Sequence, residues 1–257
     1  NDSALSVTTT YGYDAFGNTL SAAVTGTGIA SRTSSTTYEA NGRFALTATN
    51  ALGHSESVVT EPKFGNPTSQ TGPNGLTTTW TYDSFGRPTL ETRPDGTRTA
   101  FAYAYCAGVA GGSASCPAHG AYVTTATPQD AGGAQNGPWV KTYHDAHGRA
   151  IAADTQGFTG ATVRQATEYD ALGRTWRESR PYFLSGGTPK WTTYAYDAIG
   201  RALSVTLPDN SVSTFAYNGL TTSVTNDKNQ TETTVKNARG EIVAVTDANG
   251  KTTSFTY

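Results

Sequence analysis

Carboxylates and guanidinium groups recur in this sequence at regular positions. Asp14, Asp83, Asp170 and Asp197 each follow a tyrosine and stand three residues before a glycine, at Gly17, Gly86, Gly173 and Gly200. An arginine follows the glycine at positions 87, 174 and 201, and also at 43 and 149 in looser copies. Paired carboxylates can do acid–base chemistry, and a row of arginines can hold an anion. A catalytic pair is built once in a chain, whereas these aspartates return with every copy of one motif. They therefore read as turn formers. Each arginine is expected to pair with a neighbouring turn carboxylate or to lie over a tyrosine ring.

The remaining reactive side chains are few. The only two cysteines, Cys106 and Cys116, have nine residues between them, and His119 follows closely. A disulfide closing this short loop is the favoured reading. Two buried free thiols and a metal site of Cys106, Cys116 and His119 are the other two, the metal site lacking a fourth ligand at a usual spacing. His54, His119, His144 and His147 are scattered, and no serine sits in a nucleophile-elbow context. No glycine-rich loop opens a helix. The expectation is a protein that is not an enzyme and that uses neither cofactor nor metal. Trp139 and Trp176 stand outside the rhythm of the other aromatics, which makes them the candidates for an exposed binding contact.

What must position these residues is a tandem repeat. Tyr13-Asp14-Ala15-Phe16-Gly17-Asn18 returns as Tyr82-Asp83-Ser84-Phe85-Gly86-Arg87, then with Tyr169 to Arg174 and with Tyr196 to Arg201. Weaker copies begin at Tyr38, Pro62, His144 and Lys236. The marker glycines 17, 42, 65 and 86 are 25, 23 and 21 residues apart, and those at 148, 173 and 200 are 25 and 27 apart. A second turn signal lies about half a period later, as in Pro73-Asn74-Gly75, Pro94-Asp95-Gly96 and Pro208-Asp209-Asn210. The chain thus reverses roughly every ten residues.

Elementary stereochemistry explains both punctuations. In Asp-x-x-Gly the carboxylate can accept backbone N–H groups just ahead of it, and the glycine tolerates positive φ at no steric cost. In Pro-Asp-Gly the proline pre-sets φ for the turn. Between turns the pattern has period two, with aromatic pairs such as Trp80/Tyr82, Tyr194/Tyr196 and Phe215/Tyr217 on one face and small residues between them. These pairs are expected to stack into a ladder along the sheet. No single hairpin is stable alone, so the array must fold as a continuous sheet. No segment shows a convincing helical period. The fold class is therefore all-β: tandem antiparallel hairpins in a curved, spiralling sheet.

Residues 1–257 read as one array with a break. From Gly86 to Gly148 is 62 residues, too long for one period. Residues 104–142 read as an irregular Gly/Ala-rich insertion between repeat blocks 1–103 and 143–257.

Composition narrows the function. Of 257 residues 15% are charged, 28 are Gly, and the net charge is −2. That excludes the basic footprint of nucleic-acid binding, and no apolar run approaches membrane-spanning length. There is no methionine, even at residue 1, so the chain reads as a segment of something longer whose targeting signal lies elsewhere.

The Tyr-Asp-x-x-Gly-Arg turn followed by Pro-Asp-Gly, in tandem over residues 11–103 and 143–257, resembles the YD-repeat, or RHS-repeat, family. That family includes bacterial rearrangement-hotspot proteins, the B and C components of insecticidal toxin complexes, and animal teneurins. The resemblance implies a long sheet spiralling into a hollow β-shell that in bacterial members encloses a C-terminal toxin. It implies a secreted or cell-surface bacterial protein, with the remaining repeats and a C-terminal domain of the same polypeptide as partners. It also admits carbohydrate as a ligand of an adhesin-like surface. The family's self-cleaving Asp-Pro-x-x-Gly-Arg segment has no counterpart here, so autoproteolysis is not assigned to this chain. A closed shell needs more repeats than 257 residues supply, which favours an open curved sheet or part of a wall.

Overall fold

Strands of five to ten residues, each ended by a tight turn, account for nearly all the secondary structure of the computed structural model, which describes residues 6–257. Twenty-two strands follow one another in chain order, and among the described residues no element is a helix. The all-β reading stands. Chain contacts divide the protein into two units, one of residues 1–102 and 125–139, the other of residues 103–124 and 140–257.

The first unit carries β1 (Val7–Tyr13), β2 (Thr19–Gly26), β3 (Ile29–Tyr38), β4 (Ala45–Thr49), β5 (Ser55–Thr60), β6 (Pro67–Thr71), β7 (Thr77–Tyr82) and β8 (Pro88–Thr92). It also holds most of β9 (Arg98–Tyr105) and of β10 (Tyr122–Gln129). Each strand pairs antiparallel with the next, from β1 through β9. The register slips by one residue where each Tyr-Asp turn begins, as between Thr81 and Tyr82. That bulge belongs to the turn. Gly86 donates its N–H to the Asp83 carbonyl at 3.0 Å, and Asp83 donates its own to Arg87 at 2.9 Å. Gly86 then has φ of 79°, a left-handed conformation that glycine adopts freely.

The second unit carries β11 (Val140–His144), β12 (Ala150–Gln156), β13 (Thr162–Tyr169), β14 (Thr175–Ser179), β15 (Tyr182–Phe183), β16 (Trp191–Tyr196), β17 (Ala202–Thr206) and β18 (Val212–Asn218). After them come β19 (Thr221–Thr225), β20 (Thr231–Lys236), β21 (Ile242–Thr246) and β22 (Thr252–Ser254). The ladder is again antiparallel between neighbours, with one irregularity. The first half of β13 pairs with β15 and its second half with β14, and β14 continues to β16. The segment expected as an insertion, 104–142, is more ordered than its composition suggests. It contains β10 and the start of β11, and a bond joins Cys106 to Cys116 with Cα atoms 5.6 Å apart.

Both faces of these strands stay largely uncovered. Among the described residues only Cys106, Val123, Tyr143 and Ala152 are buried apolar residues, and Ala114, Cys116 and Ile151 pack against the last three. The chain exposes 16352 Å². A compact chain of 26.9 kDa exposes about 11,000 Å². Stability in this array therefore rests on its ladders, its turns and the ties between repeats more than on a core. Cross-strand hydroxyl pairs contribute, among them Thr71–Thr77 at 2.8 Å and Ser223–Thr233 at 3.0 Å.

Candidate functional site

The repeated polar residues form a spine along the Tyr-Asp turns. In the second unit, Asp170 Oδ1 accepts the backbone N–H groups of Leu172 and Arg174, each at 2.9 Å, and Oδ2 accepts Arg174 Nε at 2.7 Å. Asp197 does the same with Ile199 and Arg201, and in the first unit Asp83 with Phe85 and Arg87. Asp14 uses Phe16 and Asn18. Partial burial pushes these carboxyls up, but the N–H groups and the guanidinium facing Asp83, Asp170 and Asp197 outweigh it and hold them below the ordinary carboxylate range. At Asp14 the amide of Asn18 replaces the guanidinium with the same result. Each of the four carboxylates is thus bonded within its own turn, as a turn former is.

The tyrosines and arginines tie one repeat to the next. Tyr169 Oη donates to the Ala150 carbonyl at 2.8 Å, Tyr196 to Thr175 at 2.8 Å, Tyr217 to Ala202 at 2.9 Å and Tyr257 to Ile242 at 3.0 Å. In the first unit Tyr82 donates to Pro67 at 2.6 Å. Each acceptor lies two residues after a marker glycine. In the second unit an arginine of one turn covers the tyrosine of the next repeat: Arg149 lies 4.4 Å over Tyr169, Arg174 4.7 Å over Tyr196 and Arg201 4.2 Å over Tyr217. These contacts match the expectation of an arginine over a tyrosine ring. Tyr11 and Tyr13 are in ring contact, with centroids 6.3 Å apart, and in the first unit Arg43 and Arg87 lie over Phe44 and Phe85 of their own turns.

The second unit also holds a hollow of about 730 Å³ that departs from the repeat. Its floor comes from β12 and β13, its sides from Trp176, Tyr182 and Trp191, and one wall from Pro117, Ala118 and His119. Beneath it, Asp154 is almost fully buried and grips Arg164 through two bonds, at 2.6 and 2.8 Å. These two residues face each other in the β12–β13 register. The bond to Asp154 raises the Arg164 pKa above its usual value. Burial, then the Asp154 charge, raises that of Tyr143. Arg177, on β14, forms a second two-bond pair with Glu168, at 2.9 Å each. Its guanidinium also lies 4.4 Å from the Trp176 ring and 4.3 Å from the Trp191 ring.

Of the two tryptophans expected to bind, Trp176 lines this hollow and is 43% exposed, while Trp139 belongs to the first unit. Trp191, Tyr182, Arg164, Arg177, Asp154 and Glu168 were not foreseen. A signal existed in their density: β12 to β14 carry Asp154, Arg164, Glu168, Arg177 and Glu178 within three successive strands. Among the described residues, no group of three or more His, Cys, Asp or Glu could hold a metal, and no helix is long and apolar enough to cross a membrane.

Comparison with known proteins agrees with this geometry. The RHS repeat family model matches residues 63–98. No curated protein matches the chain by sequence. Among solved structures, TcdB2-TccC3 superposes with a TM-score of 0.67 at 17% identity, over 96% of this chain and 16% of that one. TcdB2-TccC3 without its hypervariable C-terminal region gives 0.68 at 16% identity, over 96% and 18%. The chain therefore spans less than a fifth of the length of these proteins, and the likeness is one of fold. An RHS repeat is thus present at residues 63–98, its turn motif recurs along both units, and the fold is similar to that of those structures.

Proposed function

We propose that this array is a stretch of wall in a secreted or cell-surface bacterial protein, enclosing or displaying another part of the same polypeptide. The observation that carries the proposal is the exposure of both sheet faces: 16352 Å² is about half as much again as a compact chain of this mass leaves in water. A surface of that kind suits a sheet whose faces are spent on a chamber and on solvent. Two features of the spine support a wall. The tyrosine and arginine ties run from repeat to repeat, so the sheet can be extended in either direction. The turn carboxylates are consumed internally, which leaves the spine no chemistry of its own. The mechanism is exclusion: a hydrogen-bonded sheet separates the enclosed chain from protease and solvent, without catalysis.

An adhesin-like carbohydrate surface has weaker support. Of the two candidate tryptophans, Trp176 is exposed, whereas Trp139 is half-buried and belongs to the other unit. Binding to a glycan array, lost on Trp176→Ala, would favour that reading.

The test is protease protection in the complete polypeptide that bears this array. A segment outside the repeats should resist trypsin while the sheet is folded and become cleavable once denaturant melts it. Cleavage of every such segment at equal rates in both states would contradict enclosure.

A further inference from the structure

We infer that the hollow of the second unit is a binding site for an uncharged peptide segment with an apolar side chain, held by the indole and phenol donors of Trp176, Trp191 and Tyr182. The source of that peptide rests on the enclosure reading; the site does not. The argument is one of unspent valence. The charges at the hollow are already neutralised in pairs: Asp145 with Arg149, Asp154 with Arg164, and Glu168 with Arg177. The carboxylate oxygens of Asp154 and Glu168 each accept an arginine donor, and those of Asp145 accept two backbone N–H groups and Arg149. Among the described residues the Trp176 and Trp191 indole N–H groups and the Tyr182 hydroxyl have no hydrogen-bond partner, and they line the hollow beside His119, His147 and Thr167. A charged ligand would meet no uncompensated partner. A peptide backbone brings carbonyl acceptors, and an apolar side chain suits the indole faces.

The platform is braced from behind. Arg177 touches both indole rings, yet it does not line the hollow. The ring pair is thus held in place before any ligand arrives, which lowers the entropic cost of binding. The hollow's volume lies within the range of ordinary ligand sites. Arg177 is a positioning residue in this account, and the binding groups are the three aromatics.

The experiment uses the full 257-residue chain and a panel of capped, uncharged pentapeptides with Leu, Phe, Val or Ile at the centre. The readout is the NMR indole N–H resonances of Trp176 and Trp191, with Trp80 and Trp139 as internal controls. Saturable shifts confined to Trp176 and Trp191 are expected for at least one peptide. Tyr182→Phe, which removes one hydroxyl, should weaken binding about fivefold, the equivalent of one ordinary hydrogen bond. Arg177→Met should weaken binding while leaving the backbone spectrum otherwise unchanged. No saturable shift with any peptide up to millimolar concentration would overturn the proposal, and so would shifts produced by a malto-oligosaccharide or an acidic peptide in their place. Neither result bears on protease protection in the complete polypeptide, so the wall reading is judged separately.

Discussion

The Tyr196 hydroxyl donates to the Thr175 backbone carbonyl across 2.8 Å, joining residues 21 apart in sequence and one repeat apart in the fold. The same bond recurs from Tyr169, Tyr217 and Tyr257, each reaching the residue two beyond a marker glycine. The tyrosine of the motif is therefore the link between repeats, and the aspartate is the link within the turn. Tyr196→Phe keeps the ring under Arg174 and removes only the hydroxyl. It should cost about 1 kcal/mol. Tyr196→Ala removes ring and hydroxyl together and should cost distinctly more. Thermal melts of both variants check the order; equal melting of Tyr196→Phe and Tyr196→Ala would show that the ring carries nothing.

The marker glycines are not equivalent. Gly86 has φ of 79°, and a Cβ there would stand 2.7 Å from a ring carbon of Phe64 on the preceding turn. Gly173 has φ of 81°, but its Cβ would meet the mobile end of Arg149 at 3.0 Å. Both glycines pay the left-handed penalty of about 1–2 kcal/mol on substitution. Gly86→Ala must in addition displace an aromatic ring. We expect Gly86→Ala to be the more destabilising of the two, and denaturant titration of the pair to show it.

Much of this was legible in the sequence because turns are local chemistry. Asp, Gly and Pro fix their own backbone within four residues, so the positions of Asp14, Asp83, Asp170 and Asp197 could be read from spacing alone. The arginine after the marker glycine could be narrowed only to two choices, a carboxylate or a ring, and in the second unit it takes both. Arg174 bonds Asp170 within its own turn and covers Tyr196 of the next. The hollow was not legible. It depends on the split pairing of β13 with β14 and β15, which brings Tyr182 opposite Arg164 and Trp191 opposite Ser179. Register across strands is set by pairing partners that no local pattern names.

Acid should act on the spine through the turn carboxylates. The folded state holds Asp83, Asp145, Asp170 and Asp197 below their ordinary value. An unfolded aspartate titrates near 3.9. The stability these groups contribute is therefore complete well above pH 4 and is lost as pH falls through their lower folded values. Melting temperature should be flat from pH 7 to about 5 and should drop below about pH 4. Asp170→Asn should flatten that drop with little cost at neutral pH. The protein itself uses asparagine in this role: Asn50 Oδ1 accepts Leu52 and His54 N–H at 2.9 and 3.1 Å. A steep loss of stability between pH 7 and 5 would count against the assignment.

The buried pair beneath the hollow makes a separate forecast. Asp154 is 2% exposed and Arg164 is its partner. Removing one charge strands the other, so Asp154→Ala or Arg164→Ala alone should cost about 3–5 kcal/mol. Replacing both, as Asp154→Leu with Arg164→Met, should recover most of that loss. A double variant as unstable as the sum of the singles would show that the pair's bonding is worth more than its desolvation cost.

Reduction of the bond between Cys106 and Cys116 should be felt locally. The loop it closes packs Ala114 and Cys116 against Val123, Tyr143 and Ala152, and leads into the Pro117–His119 wall of the hollow. Hydrogen exchange after mild reduction should accelerate over residues 106–120 and leave β17 to β21 unchanged, because repeat stability is mostly local. Uniform acceleration along the chain would contradict that locality.

The central claim is that this array is wall. An electron cryo-microscopy map of the complete polypeptide that carries it would test this most directly. The account predicts that these strands continue into further repeats on at least one side and bound a chamber holding polypeptide density. An array standing free in solvent, with both faces bare and nothing enclosed, would contradict it.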